Sequence, residues 1–263
     1  MKPKLIPKKE LLFVRNFKLA KSNLKKTGLM VLFDALFLVS FFGLQILFGY
    51  FAKSLVVEKT LPFAIIFIVF SLIYYLIVLF VYSFFKYSLL GFIKSLFEKT
   101  DFSFKKLGQF FSLNIIITGI FFAVMLFLNI ILANIKQIYQ PYVFIGLAVP
   151  YSLFLYVIIN MSHSSFYQGA SIKESIKGSF KITFTKIMVY RETILVMILA
   201  ALLLWLLFLG SGYLIRLISS KNYSLYLNLY AYFKQASIII FDLVFYVIIL
   251  INRISFYSIA RNK

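Results

Sequence analysis

Long, unbroken apolar runs alternate along this chain with short polar gaps, and every second gap is strongly basic. Six runs, Gly28–Tyr50, Leu61–Ser83, Phe110–Asn134, Tyr142–Met161, Thr193–Ile215 and Ala236–Asn252, predict six helices. At a rise of about 1.5 Å per residue, most of them can cross a hydrocarbon core of about 30 Å. The last run is the shortest, and its helix is expected to begin earlier, within Tyr230–Gln235. Phe, Ile and Val are middling helix formers in water, but a backbone in hydrocarbon must satisfy its own hydrogen bonds. A transmembrane barrel needs alternating strands of about ten residues, which these continuous runs do not supply. The predicted fold class is all-α: a polytopic membrane protein with six transmembrane helices.

The gaps carry a second periodicity. In Ser165–Arg191, apolar Ile172, Ile176, Phe180 and Phe184 recur every four residues, with Lys173, Lys177 and Lys181 beside three of them. That pattern predicts a basic amphipathic helix lying at the membrane surface. Tyr87–Phe97, with Leu90, Ile93 and Phe97 on one side, and Leu11–Lys26 predict two more such connectors. Ser219–Gln235 carries Tyr223, Tyr226, Tyr230 and Tyr232, whose amphipathic rings suit the headgroup belt and predict a short interfacial helix or lid.

A pattern also repeats three times. The second run of each pair ends in a similar signature: Ser83-Phe84-Phe85-Lys86, Ser165-Phe166-Tyr167-Gln168 and Ser255-Phe256-Tyr257-Ser258. Each pair is preceded by a serine and lysines: Ser22 with Lys25 and Lys26, Ser103 with Lys105 and Lys106, Ser179 with Lys181. One membrane domain over residues 1–263 is therefore expected, built from three tandem helical hairpins of residues 11–87, 88–168 and 169–258. Hairpins that all enter from one side form a parallel repeat about an axis near the membrane normal.

Charge sets the expected orientation. Of 28 Lys and Arg, only Lys53, Lys59, Lys136, Arg216, Lys221 and Lys234 fall on one side; the other 22 flank the opposite side. The positive-inside rule puts both termini and the basic amphipathic connectors in the cytoplasm of a multi-pass cell-membrane protein. Nine basic residues before the first run are too many for a usual signal peptide, so that run reads as a retained span. Hydrophobic residues make up 62% of the chain and mean hydropathy is +0.96, an excess that calls for a lipid-like solvent. A net charge of +20 in a soluble protein would point to nucleic acid. Here the lysines flank spans, so no nucleic acid is expected, and the partners read as anionic inner-leaflet lipids and a further membrane protein.

Chemistry-bearing residues are sparse. Cysteine is absent, which removes disulfides, thiolate catalysis and Cys-ligated metals. Nucleotide-binding glycine loops, His-Glu-x-x-His and closely paired aspartates are missing as well, so no cofactor is expected. Asp34 and Asp242 lie inside runs, about 12 and 16 Å from the basic ends on helical rise. A charge at that depth must be protonated, paired or wet. Aligning the repeat serines sets Asp34 opposite Ile115 and Arg191, with Asn114 and Glu192 adjacent. An intramembrane polar cluster of Asp34, Asn114, Arg191, Glu192 and Asp242 is therefore the candidate site, with Arg191 approaching Asp34 or Asp242. It reads as a salt-bridge network orienting the hairpins, as an ion, proton or headgroup site, or as side chains that snorkel apart. His163, the only histidine, reads as a structural cap or interfacial contact, and Asn114, Asn129 and Asn134 as links between helices.

With the six spans, the basic connectors and the Ser/Lys positions around Ser103–Lys106 and Ser179–Lys181 assembled, the chain resembles uncharacterised six-helix membrane proteins. These are related to the membrane domain attached to some glycerophosphodiester phosphodiesterases. The likeness implies an envelope- or lipid-associated membrane role. It carries over no catalytic residue, because no gap has room for the soluble phosphodiesterase domain. The expected function is non-enzymatic, in envelope organisation or membrane-partner assembly. The alternative is a small transporter or permease that uses the intramembrane cluster.

Overall fold

The computed structural model describes residues 10–55, 61–100, 102–220 and 222–261. Of the basic residues that set the expected orientation, Lys2, Lys4, Lys8, Lys9, Lys59, Lys221 and Lys263 lie outside the described residues. Among the described residues there are eight helices and no strand: α1 Leu12–Ser22, α2 Leu24–Leu55, α3 Leu61–Ser95, α4 Phe104–Ala133, α5 Gln140–Tyr167, α6 Ile172–Thr185, α7 Ile187–Ile218 and α8 Tyr223–Arg261. Six of them, α2, α3, α4, α5, α7 and α8, are long and apolar enough to cross a membrane. The protein is an all-α polytopic membrane protein.

The spans are longer than their apolar runs, and two expected separations are absent. Tyr87–Phe97 is not a surface connector: α3 continues through it to Ser95, burying Tyr87, Leu90 and Ile93. Ser219–Gln235 is not a separate lid, because α8 starts at Tyr223 and runs unbroken for 39 residues. Neither Gly nor Pro interrupts α8, so its hydrogen-bond ladder continues once started. Tyr223, Tyr230 and Tyr232 stay exposed near its start, and half-buried Tyr226 stacks on Tyr230 at 5.6 Å.

The chain divides into two compact units, Ala20–Thr183 and Met1–Leu19 with Phe184–Lys263. In the first, α2 packs on α3, α3 on α4, and α4 on α5. The α2–α3 hairpin is held by an aromatic ladder: Phe33 on Phe92 at 4.9 Å, Phe37 on Phe85 at 5.9 Å and Phe48 on Tyr74 at 4.1 Å. Lipid is as apolar as these rings, so the ladder works by packing and ring geometry, about 0.5–1.5 kcal/mol per pair, and not by escape from water.

The α5–α6 corner is written locally. Gly169, at φ +103°, ends α5: its N–H donates to Phe166 O at 2.9 Å and the Ala170 N–H to Ser165 O at 3.2 Å. This is a Schellman cap, and it needs a residue that tolerates positive φ. Two residues later Ser171 starts α6 through a capping box. Glu174 N–H donates to Ser171 Oγ at 3.3 Å, and Ser171 N–H donates back to Glu174 Oε2 at 2.9 Å. The Ser171 N–H and, at 2.8 Å, the Ser171 hydroxyl donate to the carboxylate and hold the Glu174 pKa below its ordinary value. The Ile172, Ile176, Phe180, Phe184 stripe of α6 is not its packed face. Ser175, Ser179, Ile182 and Thr183 are buried instead, and Phe184 is 59% exposed. Small hydroxyl side chains allow close helix approach, and Ile172, Ile176 and Phe180 sit half-buried beside that face.

In the second unit, α7 and α8 run antiparallel. Asn252 Nδ2 donates to Thr193 O at 3.1 Å, and a Cβ on Gly212 would sit 3.5 Å from the Phe233 ring. Helix α1 packs on the basic end of this hairpin, burying Asn16.

Candidate functional site

Each unit gathers most of its buried polar side chains at the basic end of its spans; Ser219, at the other end of α7, bonds its own helix at Ile215 O. In the Ala20–Thr183 unit, Ser83 of α3, Asn114 of α4 and His163 of α5 form one chain. Ser83 Oγ donates to Leu79 O at 2.7 Å, so it accepts from Asn114 Nδ2 at 2.9 Å. That turns the amide oxygen toward His163 Nε2, 2.7 Å away, and an acceptor there requires a proton on Nε2. His163 Nδ1 is left as a buried acceptor with no hydrogen-bond partner. No carboxylate orients the ring, and its neighbours are Phe110 at 4.8 Å and Tyr82 at 6.3 Å between centroids. His163 is thus a buried link between two spans rather than a cap. Beside it, Ser162 Oγ donates to Ser179 Oγ at 2.6 Å, fastening α6 to α5, and Lys86 Nζ reaches Asn160 Oδ1 at 3.4 Å.

The other unit repeats part of this arrangement. Asn16 Nδ2 of α1 donates to Ser255 Oγ of α8 at 2.9 Å, and Ser255 Oγ donates to Ile251 O at 2.9 Å. Ser83 and Ser255 therefore share one geometry: an asparagine from the neighbouring helix donates to a serine that bonds its own helix four residues back. At Ser165, the remaining serine of the repeated signature, it is the backbone carbonyl that is engaged, accepting the Ala170 N–H in the α5 cap. Glu192 of α7 accepts the N–H groups of Leu12 at 2.9 Å and Phe13 at 2.7 Å, capping the positive end of α1.

Of the five residues expected to cluster, Asp34 and Asn114 belong to one unit and Arg191, Glu192 and Asp242 to the other. Asp34 is half-buried on α2, and Asn114 is the inter-span link just described. In the second unit the three charges do not converge. The pairing of Asn252 with Thr193 sets Arg191 about 12 helical positions from the level of Asp242, roughly 18 Å along the axis. Arg191 is exposed with its guanidinium on Met188 Sδ at 2.9 Å, Asp242 is exposed, and Glu192 serves α1. Arg191 therefore does not approach Asp242. Among the described residues no group of three or more His, Cys, Asp or Glu could hold a metal ion. Asn134 bonds locally to Ile130 O and joins no second helix.

A cavity of the Ala20–Thr183 unit, about 550 Å³, is a groove between α3 and α4, closed by α2 and α5. Its walls are mainly apolar; Asn114 adds an amide, and Thr118, Tyr75 and Tyr82 add hydroxyls. Neither Asp34 nor His163 lines it. Compared with known proteins, the chain matches no family, no curated protein and no solved structure.

The groove was not legible from the sequence, because every residue in it reads as ordinary span. The Asn114–Ser83 and Asn16–Ser255 pairs had a signal: an asparagine inside or beside a span, and a serine in the repeated signature.

Proposed function

We propose that this is a non-enzymatic membrane protein of the cell envelope whose role is organisational. It sets its basic helices against the anionic inner leaflet and assembles with a membrane partner. The observation behind this reading is the division of polarity. At the basic ends Asn114 joins Ser83 to His163 and Asn16 joins Ser255, while the groove of the first unit is mainly apolar and reaches neither Asp34 nor His163. A permease needs a polar path at membrane depth, and that groove does not provide one. Helix α6 supports the surface role, since its apolar stripe and Lys173, Lys177 and Lys181 lie outside its packed serine face. The resemblance read from the sequence, to membrane domains of glycerophosphodiester phosphodiesterases, implies the same lipid-associated task.

Proteoliposomes test the reading. Under imposed proton, sodium or potassium gradients, the protein should add no flux over empty vesicles. Spin-labelled phosphatidylglycerol should be enriched over phosphatidylcholine in the motionally restricted shell, and Lys173, Lys177 and Lys181→Gln should reduce that enrichment. Saturable flux that disappears in Asp34→Asn would replace the organisational role with transport.

A further inference from the structure

We propose that the α3–α4 groove is a binding site for one acyl chain of an anionic glycerophospholipid, with the lipid phosphate at Lys86. The groove's volume, about 550 Å³, falls in the usual range of small-molecule sites, about 300–1,000 Å³. Its length is more specific. On α3 the lining runs from Leu72 to Tyr82, a rise of about 15 Å, which is half of a hydrocarbon core of about 30 Å. The groove therefore matches the chains of one leaflet.

Its opening selects a lipid over a water-soluble ligand. Leu72, Tyr75, Leu76, Ile115 and Phe122 line it and are themselves exposed on the outer surface of the spans. In a bilayer that surface faces hydrocarbon, so the molecules at its mouth are lipid tails. Van der Waals contact with a shaped aromatic wall then favours one ordered chain over exchange with bulk lipid.

The two ends differ in polarity, which fixes the lipid's direction. Tyr82, Asn114 and Ile159 mark the basic end. Lys86 lies one turn beyond Tyr82, with its ammonium at the side chain of Asn160, the residue after Ile159. Lys26 and Lys94 belong to the same ends of α2 and α3. An ammonium is a strong phosphate binder, and this one stands where the headgroup of a lipid seated tail-first toward Leu72 would fall. The site needs only that this unit is embedded in a membrane, so it stands or falls apart from the organisational role.

The test uses the full chain in nanodiscs of equal phosphatidylglycerol and phosphatidylcholine with matched chains. Native mass spectrometry should show one retained phosphatidylglycerol per chain. Thr118→Trp, which fills the groove, should lose both lipids, whereas Leu126→Trp on an exposed span face should retain them. Lys86→Gln should keep a bound lipid but lower the preference for phosphatidylglycerol about fivefold. On the unaltered chain, phosphatidylglycerol with a photoactivatable acyl chain should crosslink within residues 72–82 and 114–122, which decides the matter even if Thr118→Trp fails to fold. Crosslinks spread evenly over all spans, or a folded Thr118→Trp that retains lipid like the parent, would overturn the site. An unchanged preference in Lys86→Gln would overturn the assignment of the phosphate to Lys86.

Discussion

Replacing Asn114 with alanine tests whether the buried polar chain, and not apolar packing alone, joins α3, α4 and α5. Asn114 is 2% exposed and its amide holds two partners, Ser83 at 2.9 Å and His163 at 2.7 Å. Hydrogen bonds between spans contribute about 0.6–2 kcal/mol each, because the unfolded chain in a membrane also finds partners. The two losses are not equivalent. Ser83 keeps its bond to Leu79 O, but His163 is left with neither nitrogen bonded, since Nδ1 already has no hydrogen-bond partner. An orphaned buried donor costs about 1–3 kcal/mol, so Asn114→Ala should destabilise the unit by about 2–4 kcal/mol. His163→Phe removes the orphan, and in that background Asn114→Ala should cost only about 1 kcal/mol. Unfolding in mixed micelles, followed by circular dichroism and by hydrogen exchange of α4 and α5 peptides, reads both numbers. Asn252→Ala is the control: it breaks one bond, to Thr193 O, on a side chain whose Oδ1 is already without a partner, and should cost about 1 kcal/mol. A loss below about 0.5 kcal/mol for Asn114→Ala, or strict additivity with His163→Phe, would refute the reasoning.

Gly169→Ala places a Cβ at φ +103° and should destabilise the α5–α6 corner by about 1 kcal/mol, read as faster exchange in residues 165–175. Gly91→Ala sets its Cβ 2.9 Å from Tyr167 Oη, so it should lower the melting temperature, and Tyr167→Phe should restore part of the loss. Because hydrogen bonds lower the Glu174 carboxyl in the folded state, its support of α6 is fully present above the ordinary carboxylate value. That support fades as pH falls through the depressed one. Exchange of the first α6 turn should therefore accelerate on acidification, and Glu174→Gln should flatten that dependence. Glu192→Gln removes the charge from the α1 cap and should selectively deprotect the amides of Leu12 and Phe13.

The spans were legible because continuous hydrophobicity is a signal that needs no partner. Their basic ends were not, since a lysine every few residues looks like a surface helix whether the helix lies on a membrane or extends a span. Tyr87–Phe97 shows the difficulty: Leu90 and Ile93 do form a buried face, but they form it as the last turns of α3. Helix α6 fails in the opposite direction. Its apolar stripe was visible, yet the side that packs is Ser175, Ser179, Ile182 and Thr183, mostly small side chains that allow close approach between helices. The acidic residues were located in sequence, but depth alone does not say which way a side chain points. Counting inward from Lys26 and Arg253 could not assign Glu192 to the amides of α1, because that contact spans about 180 residues.

The recurrence of the asparagine–serine latch bears on how the chain is built. Ser83 and Ser255 are 172 positions apart in sequence and sit in different units, yet each accepts from an asparagine and donates to the carbonyl four residues earlier. Helix α4 supplies the asparagine in one unit and α1 in the other, so each latch joins the exit of one hairpin to a helix outside it. Local sequence does not require such a partner: serine can bond the i−4 carbonyl in any helix. What the partner adds is register, because an asparagine amide satisfies the serine lone pair at only one helix offset. Exchanging the roles, Ser83→Asn with Asn114→Ser, should therefore keep the stability of the first unit closer to the parent than either single change. If the paired exchange is as damaging as the sum of its parts, the latch is incidental to packing and the resemblance between the two units loses its physical content.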